Sequence, residues 1–329
     1  MIIVRVPLRI SFMGGGSDLP AFYARSPGRV ISMAIDRYVF MAVNEKFDGK
    51  YRISYSVTEI VDAPHEVKNT RVRAALERFG VEKGLEIVSV ADVPSHGTGL
   101  GSSSSFSVAL MRGLSEFVKH PMREDKHALA EAACHMEMDM LGEQIGKQDQ
   151  YAAAFGGLNV IDFTPSGVKV SPIKISEKRL GEFISHLIVF YAGGARSAAR
   201  ILGSMSKGFE DDRKKFAAQK EMVGMVAPFK TALVKGDFKE CGALLHAAWG
   251  LKKKTSDLIS NEGVDAMYAL GRKHGAWGGK LLGAGGGGFM LFIAPPAKHP
   301  ALRKAFAHHK ELPVGIDREG SKVIFNRYA

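Results

Sequence analysis

The segment Pro94-Ser95-His96-Gly97-Thr98-Gly99-Leu100-Gly101-Ser102-Ser103-Ser104-Ser105 constrains this chain more than any other. A strand-like run, Leu85 to Val90, precedes it, and a helix-like run, Phe106 to Val118, follows it. Glycines at alternate positions let the backbone turn sharply and approach a ligand, since no Cβ stands in the way. Serines then occupy the place where a helix begins, with hydroxyls free to cap it. The first amides of that helix have no internal partners and lie at the positive end of its dipole. A loop of this kind suits a phosphate chain. The bland reading, a Gly/Ser linker, is weakened by the strand before and the helix after.

Two familiar phosphate motifs are excluded. A nucleotide P-loop requires Lys-Ser or Lys-Thr after its last glycine, and Gly101 is followed by Ser102-Ser103. A second cluster, Gly283-Ala284-Gly285-Gly286-Gly287-Gly288, formally contains GxGxxG, but the apolar run Phe289 to Ile293 follows it. The dinucleotide fingerprint needs a helix there, so this match is false. A third cluster, Gly14-Gly15-Gly16, follows the strand-like Ile2 to Val6.

With 329 residues, 46% of them hydrophobic, the chain is long enough for two domains. No apolar run is long enough to span a membrane. The N-terminus carries charge inside its apolar stretch and no cleavage site, which argues against a signal peptide. Cys134 and Cys241 sit in apolar, helix-like contexts, as reduced core residues of a cytoplasmic protein would. The net charge of +11 fits nucleic acid, a membrane surface or small anions. No basic stripe interleaved with aromatics is present, so no nucleic-acid partner is expected, and phosphorylated small molecules explain the charge more economically. The oligomeric state is left open, a homodimer included.

The periodicity predicts strands at Ile2 to Val6, Val30 to Val43, Tyr51 to Ser56 and Leu85 to Val90, then a hairpin over Gly156 to Ile161 and Val168 to Ile173. It predicts helices over His65 to Phe79, Ser102 to Val118 and Glu124 to Leu141. Beyond strand His186 to Tyr191, helical patterns run from Arg196 to His274. Strand Phe289 to Ile293, helix Pro300 to His308 and strand Val323 to Phe325 close the chain. Strands and helices mix without a regular βαβ repeat, which favours α+β. The polar stretch Ser171 to Gly181 is the expected domain boundary, dividing the chain into 1–175 and 176–329.

Four groups of residues can carry chemistry. Asp149, in Gly146-Lys147-Gln148-Asp149-Gln150-Tyr151, stands in a polar turn where an acid could act as general base toward a hydroxyl, with Lys147 or a nearby Arg holding it ionised. The competing reading is a helix cap and turn. Glu137 could give a magnesium ion one carboxylate, with a loop serine as another ligand, although a solvated helix face explains a lone Glu equally well. Methionines 136, 138 and 140 alternate and would spread round a helix, which argues against a soft-metal site. Ser17 and Asp18 could bind sugar hydroxyls, with Arg9 facing a phosphate or the catalytic acid, or Asp18 could be a simple cap. Gly193-Gly194-Ala195-Arg196-Ser197 offers either a further anion site or a surface turn.

Together, Pro7-Leu8-Arg9 through Ser17-Asp18, the loop Pro94 to Ser104, and Lys280-Leu281-Leu282-Gly283 through Gly288 resemble the GHMP small-molecule kinases, motif by motif and in order. The resemblance covers nearly the whole chain. It implies an α+β, two-domain fold: an ATP-binding domain like ribosomal protein S5 domain 2 over 1–175, and a ferredoxin-like domain over 176–329. It also implies ATP and Mg²⁺ as cofactors. Asp149 matches the family's catalytic aspartate and Arg9 its basic neighbour. Pro94, Gly97, Gly99, Leu100, Gly101, Ser102, Ser103 and Ser104 match the nucleotide loop. Ser103 and Glu137 match the metal ligands. Gly285 and Gly286 would approach the substrate.

Within the family the chain is most similar to the bacterial heptose 7-phosphate kinases, through Gly14-Gly15-Gly16-Ser17-Asp18, Gly146 to Tyr151, Arg196-Ser197, Trp249 to Lys253 and Gly279 to Gly283. That likeness implies a sugar phosphate as acceptor, held by Gly15, Gly16, Ser17 and Asp18, with Arg196 and Lys252, Lys253 or Lys280 on its distal phosphate. Three departures stand out: Leu8 where many members have Gly, Ser17-Asp18 in place of the galactokinase Glu-His pair, and Ala195 before Arg196 where the heptose group has Ser. A kinase for fucose, galactose or a uronic acid, and a non-catalytic sugar and ATP sensor, are the alternatives.

Overall fold

The computed structural model describes residues 1–94, 97–194 and 198–328. Its strands are β1 (Ile2–Met13), β2 (Gly28–Glu45), β3 (Tyr51–Ser54), β4 (Thr58–Val61), β5 (Leu85–Ala91), β6 (Leu158–Thr164), β7 (Gly167–Pro172), β8 (Leu187–Gly193), β9 (Gly278–Leu281), β10 (Gly288–Ile293) and β11 (Lys322–Asn326).

The first sheet runs β11-β1-β2-β5-β3-β4, with β6 also on β2 and β7 on β6. The 18-residue β2 is its spine: Gly28 to Met33 pair with β6, and Val39 to Glu45 with β5. In β1 the even positions Ile2, Val4, Val6, Leu8, Ile10 and Phe12 are all fully buried. Each such side chain contributes roughly 1.5–3 kcal/mol by leaving water. The register shifts between Pro7 and Leu8, and beyond that point the odd positions Arg9 and Ser11 are buried as well. Period-2 alternation thus gives way to a strand with an apolar core on one face and a polar cleft on the other.

The second sheet, β8-β10-β9, is antiparallel and carries its own core, in which Ile188, Phe190, Met290 and Phe292 pack with helix residues Met205, Phe209, Trp249 and Tyr268. The last strand, β11, leaves this half and pairs with β1, so the chain returns to the sheet where it began.

Several local expectations needed correction. The predicted helix Glu124 to Leu141 is an α-helix only over Lys126–His135, and Met136–Met140 form a π-turn. The wider turn lets consecutive residues Met136 and Glu137 both face inward, and such turns gather at functional sites. Gln148–Phe155 is a helix, so Asp149 sits in a helix's first turn, where the dipole favours a carboxylate. No serine caps the helix Ser102–Phe117; Gly101 does so with its backbone, in the left-handed conformation (φ 77°). Strand β9 escaped notice because its sequence, Gly-Gly-Lys-Leu, has no branched residue.

Candidate active site

A cleft of about 680 Å³ opens between the two halves. Its walls come from β1 (Arg9, Ser11), the segment after β1 (Gly15, Gly16, Asp18), the glycine loop, the start of the helix at Gln148, and from the C-terminal half Lys252, Lys280, Gly283 and Ala284.

Arg9 and Asp149 meet at its centre. Arg9 Nε donates to Asp149 Oδ1 at 2.7 Å and Nη2 to Oδ2 at 2.6 Å, a two-pronged charge-assisted pair. The third prong, Nη1, donates to the Gly99 carbonyl at 2.6 Å, and the Arg9 amide donates to Leu100 O at 2.9 Å. Arg9 is 4% exposed and the Asp149 side chain 24%, so the guanidinium is sealed in while the carboxylate keeps access to the cleft. Arg9 is therefore the base that holds Asp149. Lys147, the other candidate, pairs with Glu131 at 3.1 Å and does not reach it. Gln148, which the sequence did not single out, donates from Nε2 to Asp149 Oδ1 and accepts from Ser11 Oγ at 2.7 Å, fixing the carboxylate's orientation.

The glycine loop lies directly against this pair. Gly101 has φ +77°, which favours glycine, and a Cβ there would crowd Asp149 Oδ2 at 3.2 Å, so the loop runs close to the acid. Gly97, Gly99, Gly101, Ser102, Ser103 and Ser104 line the cleft, whereas the Leu100 side chain is fully buried in the core and Pro94 is exposed away from the cleft. Of the four serines only Ser103 is exposed.

Glu137 has no exposure at all, yet borders the same cleft. Ser107 Oγ donates to it at 2.8 Å, Gln150 donates from Nε2, and Arg71 Nε approaches at 3.3 Å. Arg71 also reaches Glu143 at 2.6 Å. Among the described residues no cluster of three or more His, Cys, Asp or Glu could hold a metal alone. Ser103 and Glu137 both border the cleft beside the glycine loop, and their oxygens are of the kind Mg²⁺ takes alongside phosphates and water. Arg71 is a cleft residue that the sequence did not single out.

Asp18 is 8% exposed and accepts from the amides of Gly16 (2.9 Å) and Gln148 (3.2 Å). Burial raises its carboxyl above the usual range, and the Asp149 charge adds to this. Lys252 and Lys280 stand across from it, held by burial down to about 8 and about 7 respectively. Four further expected site residues do not line the cleft. Ser17 Oγ is used up on the Arg29 backbone, accepting from its amide at 2.9 Å and donating to its carbonyl at 3.1 Å. Gly285 and Gly286 pack on the turn at Ile259, the Gly286 amide donating to Ile259 O at 2.9 Å. Lys253 points outward to Asp265 at 3.0 Å. Arg196 lies outside the described residues.

A smaller hollow of about 300 Å³ adjoins the loop, between Val39, Tyr55, Ala91, Val93 and Phe106, sharing Arg71, Ser102 and Ser103 with the main cleft. Asn69 and Arg71 stand at its rim.

A glycine loop leading into a helix N-terminus, set against a buried Arg paired with an Asp open to the cleft, is suited to phosphoryl transfer onto a small molecule, where positioning and charge supply most of the acceleration. Residues 67–157 match the GHMP kinases N terminal domain, and residues 229–310 the GHMP kinases C terminal region. The chain belongs to the GHMP kinases, a family of ATP-dependent kinases. It is 30% identical over 317 residues to a D-glycero-alpha-D-manno-heptose 7-phosphate kinase of Campylobacter jejuni, covering 92% of each chain. It is 27% identical to a bifunctional fucokinase/GDP-fucose pyrophosphorylase of Arabidopsis thaliana, covering 95% of this chain and 32% of that protein. Its fold superposes on a D-glycero-D-manno-heptose 1-phosphate kinase from Bacteroides thetaiotaomicron with a TM-score of 0.83 at 23% identity, over 100% of both chains.

Proposed function

We propose that this GHMP kinase phosphorylates the anomeric hydroxyl of a sugar phosphate, with D-glycero-D-manno-heptose 7-phosphate as the acceptor and the 1,7-bisphosphate as the product. The observation that carries the reading is the Arg9–Asp149 pair facing the glycine loop, with one carboxylate edge open to the cleft. The heptose acceptor draws on the 30% identical relative from Campylobacter jejuni.

Asp149 accepts the proton of the C1 hydroxyl, or a hydrogen bond from it, as that oxygen attacks the γ-phosphorus and ADP leaves. Arg9 holds the carboxylate in a two-pronged pair, and Gln148 and Ser11 fix its plane. The amides at the start of helix Ser102–Phe117 face the nucleotide's phosphates, and the hollow beside Phe106 takes its base. Ser103 and Glu137 would hold Mg²⁺, which would supply neutralisation of phosphate charge. Asp18 receives ring hydroxyls. Intact residues for proton and phosphate handling disfavour a sensor without catalysis.

The test is ADP release with heptose 7-phosphate, sedoheptulose 7-phosphate, mannose and fucose, run on wild type and Asp149→Asn. Removing a general base lowers turnover by about 10²–10⁴-fold. Heptose 7-phosphate is expected to be the preferred acceptor, and Asp149→Asn is expected to lose turnover in that range while still binding ATP. Near wild-type turnover by Asp149→Asn would overturn the base assignment. Preference for plain fucose would favour the acceptor in the name of the Arabidopsis relative.

A further inference from the structure

We propose that Arg71 exchanges between two anions: the Glu137 carboxylate when the cleft holds no nucleotide, and the phosphate chain of ATP when it does. This rests on the reading above that puts the nucleotide's base in the hollow beside Phe106, and it gives a phosphate-binding role to a residue which that reading leaves unused.

Arg71 stands in the first turn of helix Thr70–Arg78, whose N-cap Asn69 accepts from the Val72 amide at 3.2 Å. That turn carries no acidic residue. The helix dipole opposes a cation at this end and favours an anion, so Arg71 is held by what it faces. Its Nη2 donates to Glu143 Oε2 at 2.6 Å, and its Nε lies 3.3 Å from Glu137 Oε1. Nη1 makes no hydrogen bond among the described residues, and the side chain is 23% exposed. The grip is therefore uneven: short on Glu143, which is part-exposed, and long on Glu137, which is fully buried. Glu137 does not depend on Arg71 alone, because Ser107 Oγ and Gln150 Nε2 also donate to it.

Arg71, Ser102 and Ser103 are the residues common to the cleft and the hollow. A nucleotide with its base in the hollow and its γ-phosphate toward Asp149 passes its phosphate chain across this shared rim. Arg71 carries the one charge among the described residues lining the hollow. The other cations of the cleft are engaged elsewhere: Arg9 pairs with Asp149, and Lys252 and Lys280 feel the charge of Asp18. A guanidinium suits a phosphate because its planar fork presents parallel donors. Arg71 also has the same sign as the divalent cation that Glu137 would take, so the two compete for one carboxylate. Release from the longer contact leaves Arg71 tethered by Glu143 at the rim, with its remaining nitrogens free for phosphate oxygens.

The experiment measures dissociation constants for ATP and adenosine in EDTA, by displacement of a fluorescent ADP analogue, on wild type, Glu137→Gln and the double variant Glu137→Gln/Arg71→Met. The Gln background removes the buried charge that Arg71→Met alone would leave bare. Adding Arg71→Met to it is expected to weaken ATP binding by about tenfold or more and to leave adenosine unchanged. Unchanged ATP affinity would make Arg71 a structural partner of Glu137 only and overturn the proposal. Equal losses for ATP and adenosine would overturn it too, by placing Arg71 on the nucleoside. Mn²⁺ binding without nucleotide, followed by electron paramagnetic resonance, reads the other half of the exchange. The single variant Arg71→Met frees Glu137 and Glu143 and should tighten Mn²⁺ by about tenfold; unchanged or weaker binding would refute the competition. Ala91→Phe, which fills the hollow, should weaken ATP and adenosine together. Undiminished binding of both would unseat the base from the hollow, and with it the rim position given to Arg71.

Discussion

Gly99→Ala is the most informative single perturbation of the scaffold. Gly99 has φ +73°, and a Cβ there would lie 2.2 Å from the Leu282 carbonyl oxygen. The contact is reciprocal: a Cβ on Gly283 (φ +78°) would fall 2.4 Å from Gly99 Cα, and one on Gly288 would fall 2.5 Å from Thr98 O. The glycine loop and the C-terminal glycine segment thus pack backbone against backbone. A methyl at Gly99 must force them apart by about 1 Å before carbon and oxygen reach ordinary contact. Two penalties combine: about 1–2 kcal/mol for an L-residue in the left-handed region, and about 1–3 kcal/mol for overpacking.

Gly49 separates the two, since it has φ +72° and nothing within 4 Å of its would-be Cβ. Gly49→Ala carries only the first penalty, so urea unfolding should find Gly99→Ala less stable than Gly49→Ala by about 1–3 kcal/mol. A displacement of this size at a reacting centre costs about 10²-fold in rate. In ADP-release assays at saturating acceptor, kcat/KM for ATP should fall by that order in Gly99→Ala and hold in Gly49→Ala. Equal stabilities for the two variants, with unchanged kcat/KM for ATP, would refute the packing argument.

Two further predictions concern charge. Lys280 and Lys252, at about 7 and about 8 in the folded chain, return to about 10.4 on unfolding. Between those values the unfolded chain binds more protons, so the ligand-free protein gains stability as pH rises from about 7 toward 10. Lys280→Met should flatten this rise in melting temperature against pH, and an unaltered slope would contradict the burial of Lys280. Ser103→Ala and Glu137→Gln should each raise the Mg²⁺ concentration for half-maximal ADP release by about tenfold or more, and should likewise weaken Mn²⁺ binding followed by electron paramagnetic resonance in the presence of ADP. Unchanged metal affinity in both variants would remove these residues from the metal site.

What could be read from the sequence was what depends on local backbone chemistry. The glycine loop, the helix behind it, most strands and the α+β class follow from turn residues and from periods of 2 and 3.6. The motif order pointed to the GHMP kinases, and the two matched regions bear this out. Asp149, Arg9, Asp18, Glu137 and Lys280 were all named from sequence, and all five line one cleft. What sequence could not supply was partnership across long separations. Arg9 and Asp149 are 140 positions apart, and Lys147, two residues from Asp149, turns away to Glu131. Ser17, beside Asp18, spends its hydroxyl on the Arg29 backbone, and Lys253 faces solvent while Lys252 is buried, because adjacent residues of one helix point in different directions. Gly285 and Gly286 support a turn, while Gly283 and Gly288 meet the first glycine loop. Sequence determined which chemistry the chain carries, because propensity, capping and turn geometry are local. Tertiary packing decided which copy of each residue type performs it, because burial and pairing depend on what the rest of the chain brings within a few ångströms.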